Sequence, residues 1–252
     1  MLVESMTHSE VYDELARDLP NLERWIDRQA KMLRRYSLKI DRRNFPRIMF
    51  DTYTSPRKIH YGFIAILYKR NEPFCNFTYT LRPTRNGKEL YLCRSYDGSR
   101  LPKTVFIPHA IKRYAERMKL DKTGDELIRH MLIHSVDCVS LNDQTLAARS
   151  VRYKGEMLRS FCVREGAFLG KQVGDIFMVN TFITYDMMGG RQLEEFSKHR
   201  EAFERGVDAA DEFCRRFNNR KTLRRNQPIL KNYGKDKERH QEDAEGAVRE
   251  RM

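Results

Sequence analysis

The sequence predicts an α+β fold, and three observations carry that expectation. Apolar residues recur at helical spacing near 9–36, 107–118 and 124–139. Strand-like runs fill 47–95 and return between 145 and 186, and turn signals such as Asn86-Gly87 separate the runs. The expected order is N-terminal helices, an antiparallel β meander, central amphipathic helices, a second antiparallel sheet segment and a long C-terminal helix. The boundaries are a basic helical segment at 1–45, an α+β core at 46–190, a charged helix at 191–225 and a tail at 226–252 too poor in apolar residues to order itself.

Residues 9–36 have a helical pattern. Pro20 lacks an N–H, so it splits them, and Asn21 caps or begins the second piece. Leu22, Trp25, Ile26, Ala30, Met32 and Leu33 give that piece an apolar face. From Arg28 to Arg47 the chain is strongly basic. Arg34, Arg35, Arg42 and Arg43 are either a solvated surface or a nucleic-acid-binding patch. "RIMFDTYT", "IHYGFIAILYK" and "FCNFTYTLR" follow as strands. In the third, Phe77, Tyr79 and Leu81 alternate with Thr78, Thr80 and Arg82. Asn86-Gly87 suits a tight hairpin turn, whose central residues need positive φ, and "ELYLCR" returns after it. A helix over 108–119 and a second from about Gly124 to Val139 come next. "TLAARSVRY", "EMLRSFCVR" and "DIFMVNTFITYD" are three further strands. Lys154-Gly155-Glu156 joins the first two, and a loop around Gly166 to Gly174 joins the last two.

The 252 residues carry a formal net charge of +13 and a pI near 9.6. That excess suits polyanions, nucleic acid first and an anionic membrane surface second. No run reaches the roughly 20 apolar residues that a spanning helix needs. The start, "MLVESMTHSE", has no apolar core behind a basic patch, so no signal peptide is expected. The five cysteines, Cys75, Cys93, Cys138, Cys162 and Cys214, are odd in number and form no C-x-x-C pair. Reduced thiols and a cytoplasmic location are the expectation, with no membrane partner and no cofactor.

The stretch "FIPHAIKRYAERM" carries the chemistry. At 100° per residue, Ile107, Ala110, Ile111, Tyr114 and Met118 fall on one arc. His109, Lys112, Arg113, Glu116 and Arg117 fall on the other. Pro108 suits the first helical position, which leaves His109 in the first turn. There the helix dipole, with Arg113 one turn on, favours a neutral imidazole able to accept a proton. The same end welcomes an anion, and Arg113 and Arg117 can fork onto phosphate oxygens. The plain alternative is a wet face with Glu116 paired to Lys112 or Arg113.

"HAIKRYAERM" resembles the H-A-x-x-R-x-x-x-R helix of the barnase–EndoU–colicin–RelE superfamily of metal-independent ribonucleases, many of them toxins. The resemblance covers about 104–188. It implies RNA cleavage by the substrate's own 2′-hydroxyl, with His109 as general base or acid and Arg113 and Arg117 stabilising the phosphorane-like transition state. It also implies a strand-borne basic residue, for which Arg159 stands beside Arg152, Lys154 and Arg164, and a hydroxyl from Thr181 or Thr184. A microbial toxin or RNA-processing factor, with RNA as substrate and a protein antitoxin or inhibitor as partner, follows from the same resemblance. The rival is a non-catalytic nucleic-acid-binding protein of a microbe or mobile element.

His130, His134 and Cys138 also step by four, as zinc ligands on a helix can. The glutamate of H-E-x-x-H is absent and Leu127, Met131, Ile133 and Val139 surround them, so core histidines are expected and no metal. No G-x-x-x-x-G-K-[ST] loop and no G-x-S-x-G elbow occurs, which excludes simple P-loop hydrolases and that class of serine hydrolase. Phe77, Tyr79 and Tyr91, beside Arg82 and Arg94, are read as core in preference to a base-stacking surface.

Overall fold

Thr7 opens the first helix, α1 (His8–Lys39). Its hydroxyl accepts from the Glu10 N–H at 3.3 Å, and the Glu10 carboxylate accepts from the Thr7 N–H at 2.7 Å. The computed structural model describes residues 1–68, 70, 75–94, 103–135, 139–140, 158–190, 193, 194 and 196. Pro20 lies inside α1 and does not split it. The buried face runs through it, with Val11, Tyr12 and Leu15 before and Leu22, Trp25, Ile26 and Leu33 after. Burial at about 1.5–3 kcal/mol per large apolar side chain exceeds the roughly 3 kcal/mol cost of one interior proline. Asn21 begins no helix. It donates to Asp18 at 2.8 Å and accepts from Arg24 at 2.6 Å.

The remaining elements are β1 (Arg47–Thr54), β2 (His60–Leu67), β3 (Cys75–Thr84), β4 (Gly87–Arg94), β5 (Lys103–Phe106), α2 (Pro108–Arg117), α3 (Gly124–His134), β6 (Val139–Ser140), β7 (Leu158–Val163), β8 (Gly166–Val173) and β9 (Ile176–Thr184). Among the described residues all nine strands form one sheet, in the order β1-β2-β3-β4-β5-β9-β8-β7-β6. Every pairing is antiparallel except that of β5 with β9, which runs Lys103↔Ile176 to Phe106↔Val179. The two sheet segments expected from the sequence are therefore halves of one sheet.

Strand alternation sorts side chains between two cores. On β2, Tyr61, Phe63, Ala65 and Leu67 pack with α1, whereas Ile64 and Ile66 pack with α2 and α3. The helices thus cover opposite faces. Phe77 and Tyr79 lie buried on the α2 and α3 side, and Tyr91 lies buried on the α1 side. Thr78, Thr80 and Arg82 are buried too. Arg82 Nε donates to Glu89 Oε2 at 3.0 Å, and Arg82 Nη1 donates to the Met6 carbonyl. The Tyr91 hydroxyl donates to the same Glu89 oxygen at 2.8 Å and sits 2.7 Å from His8 Nδ1. A third cluster, with Cys162, Ala167, Tyr185, Met188 and Phe196, covers the face of β7–β9 turned away from α2.

Beyond the unsplit α1 and the additional strand β5, two elements differ from expectation. The segment after Gly166 is strand β8, not a loop. Gly166 and Gly170 are strand residues whose added Cβ would collide with the carbonyls of Ile183 and Met178. The second central helix stops at His134, where the Ser135 hydroxyl donates back to the Met131 carbonyl at 2.7 Å. Val139 and Ser140 instead pair with Cys162 and Phe161. The expected strand at 145–153 and tail at 226–252 lie outside the described residues, as does the helix at 191–225 apart from residues 193, 194 and 196.

Gly170→Ala places a methyl group against the Met178 carbonyl at the β8–β9 bulge. The expected loss is about 1–3 kcal/mol, the usual range for overpacking. Urea unfolding checks it, and an unchanged midpoint contradicts the close approach.

Candidate functional site

The start of α2 is set by the sheet. Phe106 ends β5, the Ile107 N–H donates to the Val179 carbonyl at 3.2 Å, and Pro108 begins the helix. Ala110, Ile111 and Tyr114 are buried. The Tyr114 ring stacks on Phe168 at 5.6 Å and meets Phe182 edge-on at 5.0 Å. With that arc anchored, the polar arc faces out. His109, Lys112 and Glu116 are exposed, and Arg113 and Arg117 are partly so.

Arg113 Nε donates to His109 Nε2 at 3.3 Å. A guanidinium can only donate, so Nε2 is the accepting nitrogen and the imidazole proton sits on Nδ1. Arg113 Nη1 also reaches Glu116 Oε2 at 3.0 Å, and Lys112 Nζ stands 3.8 Å from Glu116 Oε1. The ion pairs expected of a wet helix face are therefore present. Arg117 differs. Its Nη1 is buried and has no hydrogen-bond partner. Burial first, and neighbouring Arg113 second, lower the basicity of Arg117, with Glu116 opposing.

The strand residues do not gather around this arc. Arg159 pairs with Gly170 and shares the α2 face with Phe161 and Val163. Thr184 pairs with Gly166, which lies opposite Val163, so it stands four residues, about 13 Å, further along the sheet than Arg159. Thr181 pairs with Leu169, which packs on the third cluster, and so lies on the face turned away from α2. No hydrogen bond joins Arg159, Thr181 or Thr184 to His109, Arg113 or Arg117 among the described residues. Arg164 is exposed in the β7–β8 turn, and Arg152 and Lys154 lie outside the described residues.

The second histidine group is interior. His130 is buried, lies 3.1 Å from the Tyr114 hydroxyl through Nδ1, and stacks on His134 at 4.1 Å. His134 Nδ1 is 3.4 Å from Glu165 Oε1. Burial first, then His134 and Lys122, push His130 down to about 3. It is a neutral core histidine at pH 7. Cys138 lies outside the described residues. Among the described residues no three His, Cys, Asp or Glu side chains are grouped to hold a metal ion.

Of the basic pairs singled out in the sequence, Arg34 and Arg35 are exposed on α1. Arg43 is tied to Asp41 at 3.0 Å, and the side chain of Arg42 lies outside the described set. Spacing by three and four, which also draws in Arg28, Lys31 and Lys39, is what a helix face shows. No described helix is long and apolar enough to cross a membrane. No protein-family model, curated protein or solved structure matches the chain.

His130 supplies a pH test. Its basicity in the folded chain lies far below the ordinary 6.5. Between pH 6.5 and about 3 the unfolded chain binds a proton here that the folded chain refuses, so stability falls as pH drops through that window. Each unit of separation corresponds to about 1.4 kcal/mol. In urea unfolding from about pH 7 to about pH 3.5, His130→Gln should show a shallower acid loss than the parent. Parallel losses in the two proteins would remove His130 as the source.

Proposed function

We propose that this protein binds RNA on the polar arc of α2 and cleaves it without a metal. The observation that carries this reading is the 3.3 Å contact between Arg113 Nε and His109 Nε2, with Arg117 one turn further on. A phosphodiester competes well for Arg113, because a guanidinium fork matches two phosphate oxygens. As Arg113 turns to the phosphate, the Nε2 lone pair becomes free to take the proton of the ribose 2′-hydroxyl. The 2′-oxygen then bonds to phosphorus, the bond to the 5′-oxygen breaks, and that oxygen takes up a proton from water, while the proton on His109 passes to solvent. The products are a 2′,3′-cyclic phosphate and a 5′-hydroxyl. Arg113 and Arg117 stabilise the charge on the pentavalent phosphorus. The order of His109, Arg113 and Arg117 along the helix, similar to that of the ribonuclease superfamily, supports the reading.

A second reading, binding without turnover, has its own observation. Arg159, Thr181 and Thr184, candidates for the strand-borne basic residue and hydroxyl that the resemblance implies, make no hydrogen bond to His109 among the described residues, and Thr181 lies on the face turned away from α2.

The two readings separate on end-labelled RNA in excess chelator. Cleavage by the parent protein, lost in His109→Ala with binding retained, is the expected result. Arg113→Ala should slow cleavage by about 100- to 1,000-fold, the usual effect of one lost charge-stabilising donor. Binding with no cleavage by any of the three proteins selects the second reading.

A further inference from the structure

The second cationic surface lies on the opposite layer of the fold. Along α1, Arg28, Lys31, Arg35 and Lys39 follow one another at intervals of three and four residues. At 100° per residue they fall within an arc of about 80° and extend over about 17 Å of helix. All four are exposed. None has an acidic side chain within ion-pairing distance among the described residues, unlike Arg17 with Glu14 or Arg43 with Asp41. Arg24 continues the row one turn earlier, with its guanidinium held by Asn21 and the Pro20 carbonyl. Asp27 lies about 40° outside this arc at the same spacing, and Arg34 stands beyond it.

We infer that this stripe is a docking surface for the phosphate backbone of double-helical nucleic acid. Charge complementarity argues for it, since a duplex presents about ten phosphate charges over the length of the stripe. The steps of about 4.5–6 Å between cations let several phosphates be neutralised at once. The stripe lacks what a single strand needs. The exposed large apolar residues of the described chain are Met1, Val3, Leu38, Val173, Met187 and Leu193, none of them aromatic, and Tyr36, the nearest ring on α1, is half-buried against the α1 core. A membrane fits less well. The apolar arc of α1, with Leu22, Trp25, Ile26 and Leu33, is buried against the sheet and has nothing to insert. The inference shares with the proposed function only the premise of a nucleic-acid ligand, and it rests on different residues.

The test uses the full chain and fluorescence anisotropy against an RNA duplex of about 24 base pairs, its DNA counterpart, a uridine single strand, and vesicles rich in phosphatidylserine. The variant carries Arg28→Gln, Lys31→Gln, Arg35→Gln and Lys39→Gln, and circular dichroism checks that it folds as the parent does. The parent should bind duplexes more tightly than the single strand. In the variant, the slope of log affinity against log salt should fall by about four, with weakening that does not depend on sequence. A variant with the parent's slope overturns the inference. So does preference for the single strand, and so does binding confined to vesicles. An Arg113→Gln/Arg117→Gln protein separates the two claims. If it alone loses duplex binding, the stripe fails and the α2 reading stands. If the stripe variant alone loses duplex binding and no protein cleaves RNA, the stripe stands and the cleavage reading fails.

Discussion

The parallel pairing of β5 with β9 is the contact on which the rest of the fold depends. It joins two antiparallel halves into one sheet through four residue pairs. Parallel ladders are slightly weaker per residue than antiparallel ones, so so short a joint needs cover on both faces. On one side Tyr12 of α1 donates to the Thr104 carbonyl at 2.8 Å, and Val105 and Ile176 enter the α1 core. Lys103 closes the end by pairing with Asp175 at 2.7 Å and lying over the Tyr12 ring. On the other side Phe106 and Val179 enter the α2 core, with Phe106 edge-on to Phe168 at 5.4 Å. Because α2 begins two residues after β5 ends, this joint also sets the azimuth of α2. The outward turn of His109 and Arg113 is a consequence of sheet pairing.

The enclosed charges beneath α1 play a different part. Arg82 with Glu89 is a buried ion pair, and Asp18 accepts from the Tyr61 hydroxyl at 2.9 Å and from Asn21. Such pairs add little net stability over apolar packing, since desolvation offsets their attraction. They do discriminate between seatings of the helix. Rotating α1 would strand Asp18, His8 or the Arg82 bond to Met6 in a place water cannot reach. The seating that satisfies all three is the one that turns Arg28, Lys31, Arg35 and Lys39 outward.

Much of this was legible in the sequence where a local signal coincided with the tertiary answer. α2 combined helical periodicity with proline at its first position, and Asn86-Gly87 marked the β3–β4 hairpin, although the turn residues are Arg85 and Asn86, and Gly87, alone at positive φ there, already begins β4. Legibility failed where distant partners decide. Gly166 and Gly170 carry a local loop signal, yet they are needed small because β9 passes so close. Pro20 carries a local break signal that the buried face of α1 overrides. β5 is four residues long, and nothing in "KTVF" announces that its partner lies more than seventy residues away. Arg82 on an alternating strand has the pattern of a solvent-facing residue until α1 closes over it. At the site, the contact of His109 with Arg113 follows from helical spacing alone. The face of Arg159 follows from alternation along β7, whereas the faces of Thr181 and Thr184 depend on a bulge between β8 and β9 that shifts the register and that no residue pattern revealed.

The two exposed cationic arcs differ in kind, and the difference follows from where acid was placed. On α2, Glu116 lies within reach of both Lys112 and Arg113, so the field of the arc is short-ranged. Exposed pairs of this sort are worth only about 0–1 kcal/mol, so an arriving phosphate displaces Glu116 from Arg113 at little cost. The arc, with Lys112, Arg113 and Arg117 against one Glu116, keeps a net positive charge that Glu116 partly offsets at rest. On α1 no acid stands within the stripe, and its steps of about 4.5–6 Å are shorter than the Debye length of about 8 Å at physiological salt. Those charges act on a ligand together. The two arcs lie on opposite layers of the sheet, so a ligand long enough to touch both must pass around an edge of the sheet, which a short oligonucleotide cannot do.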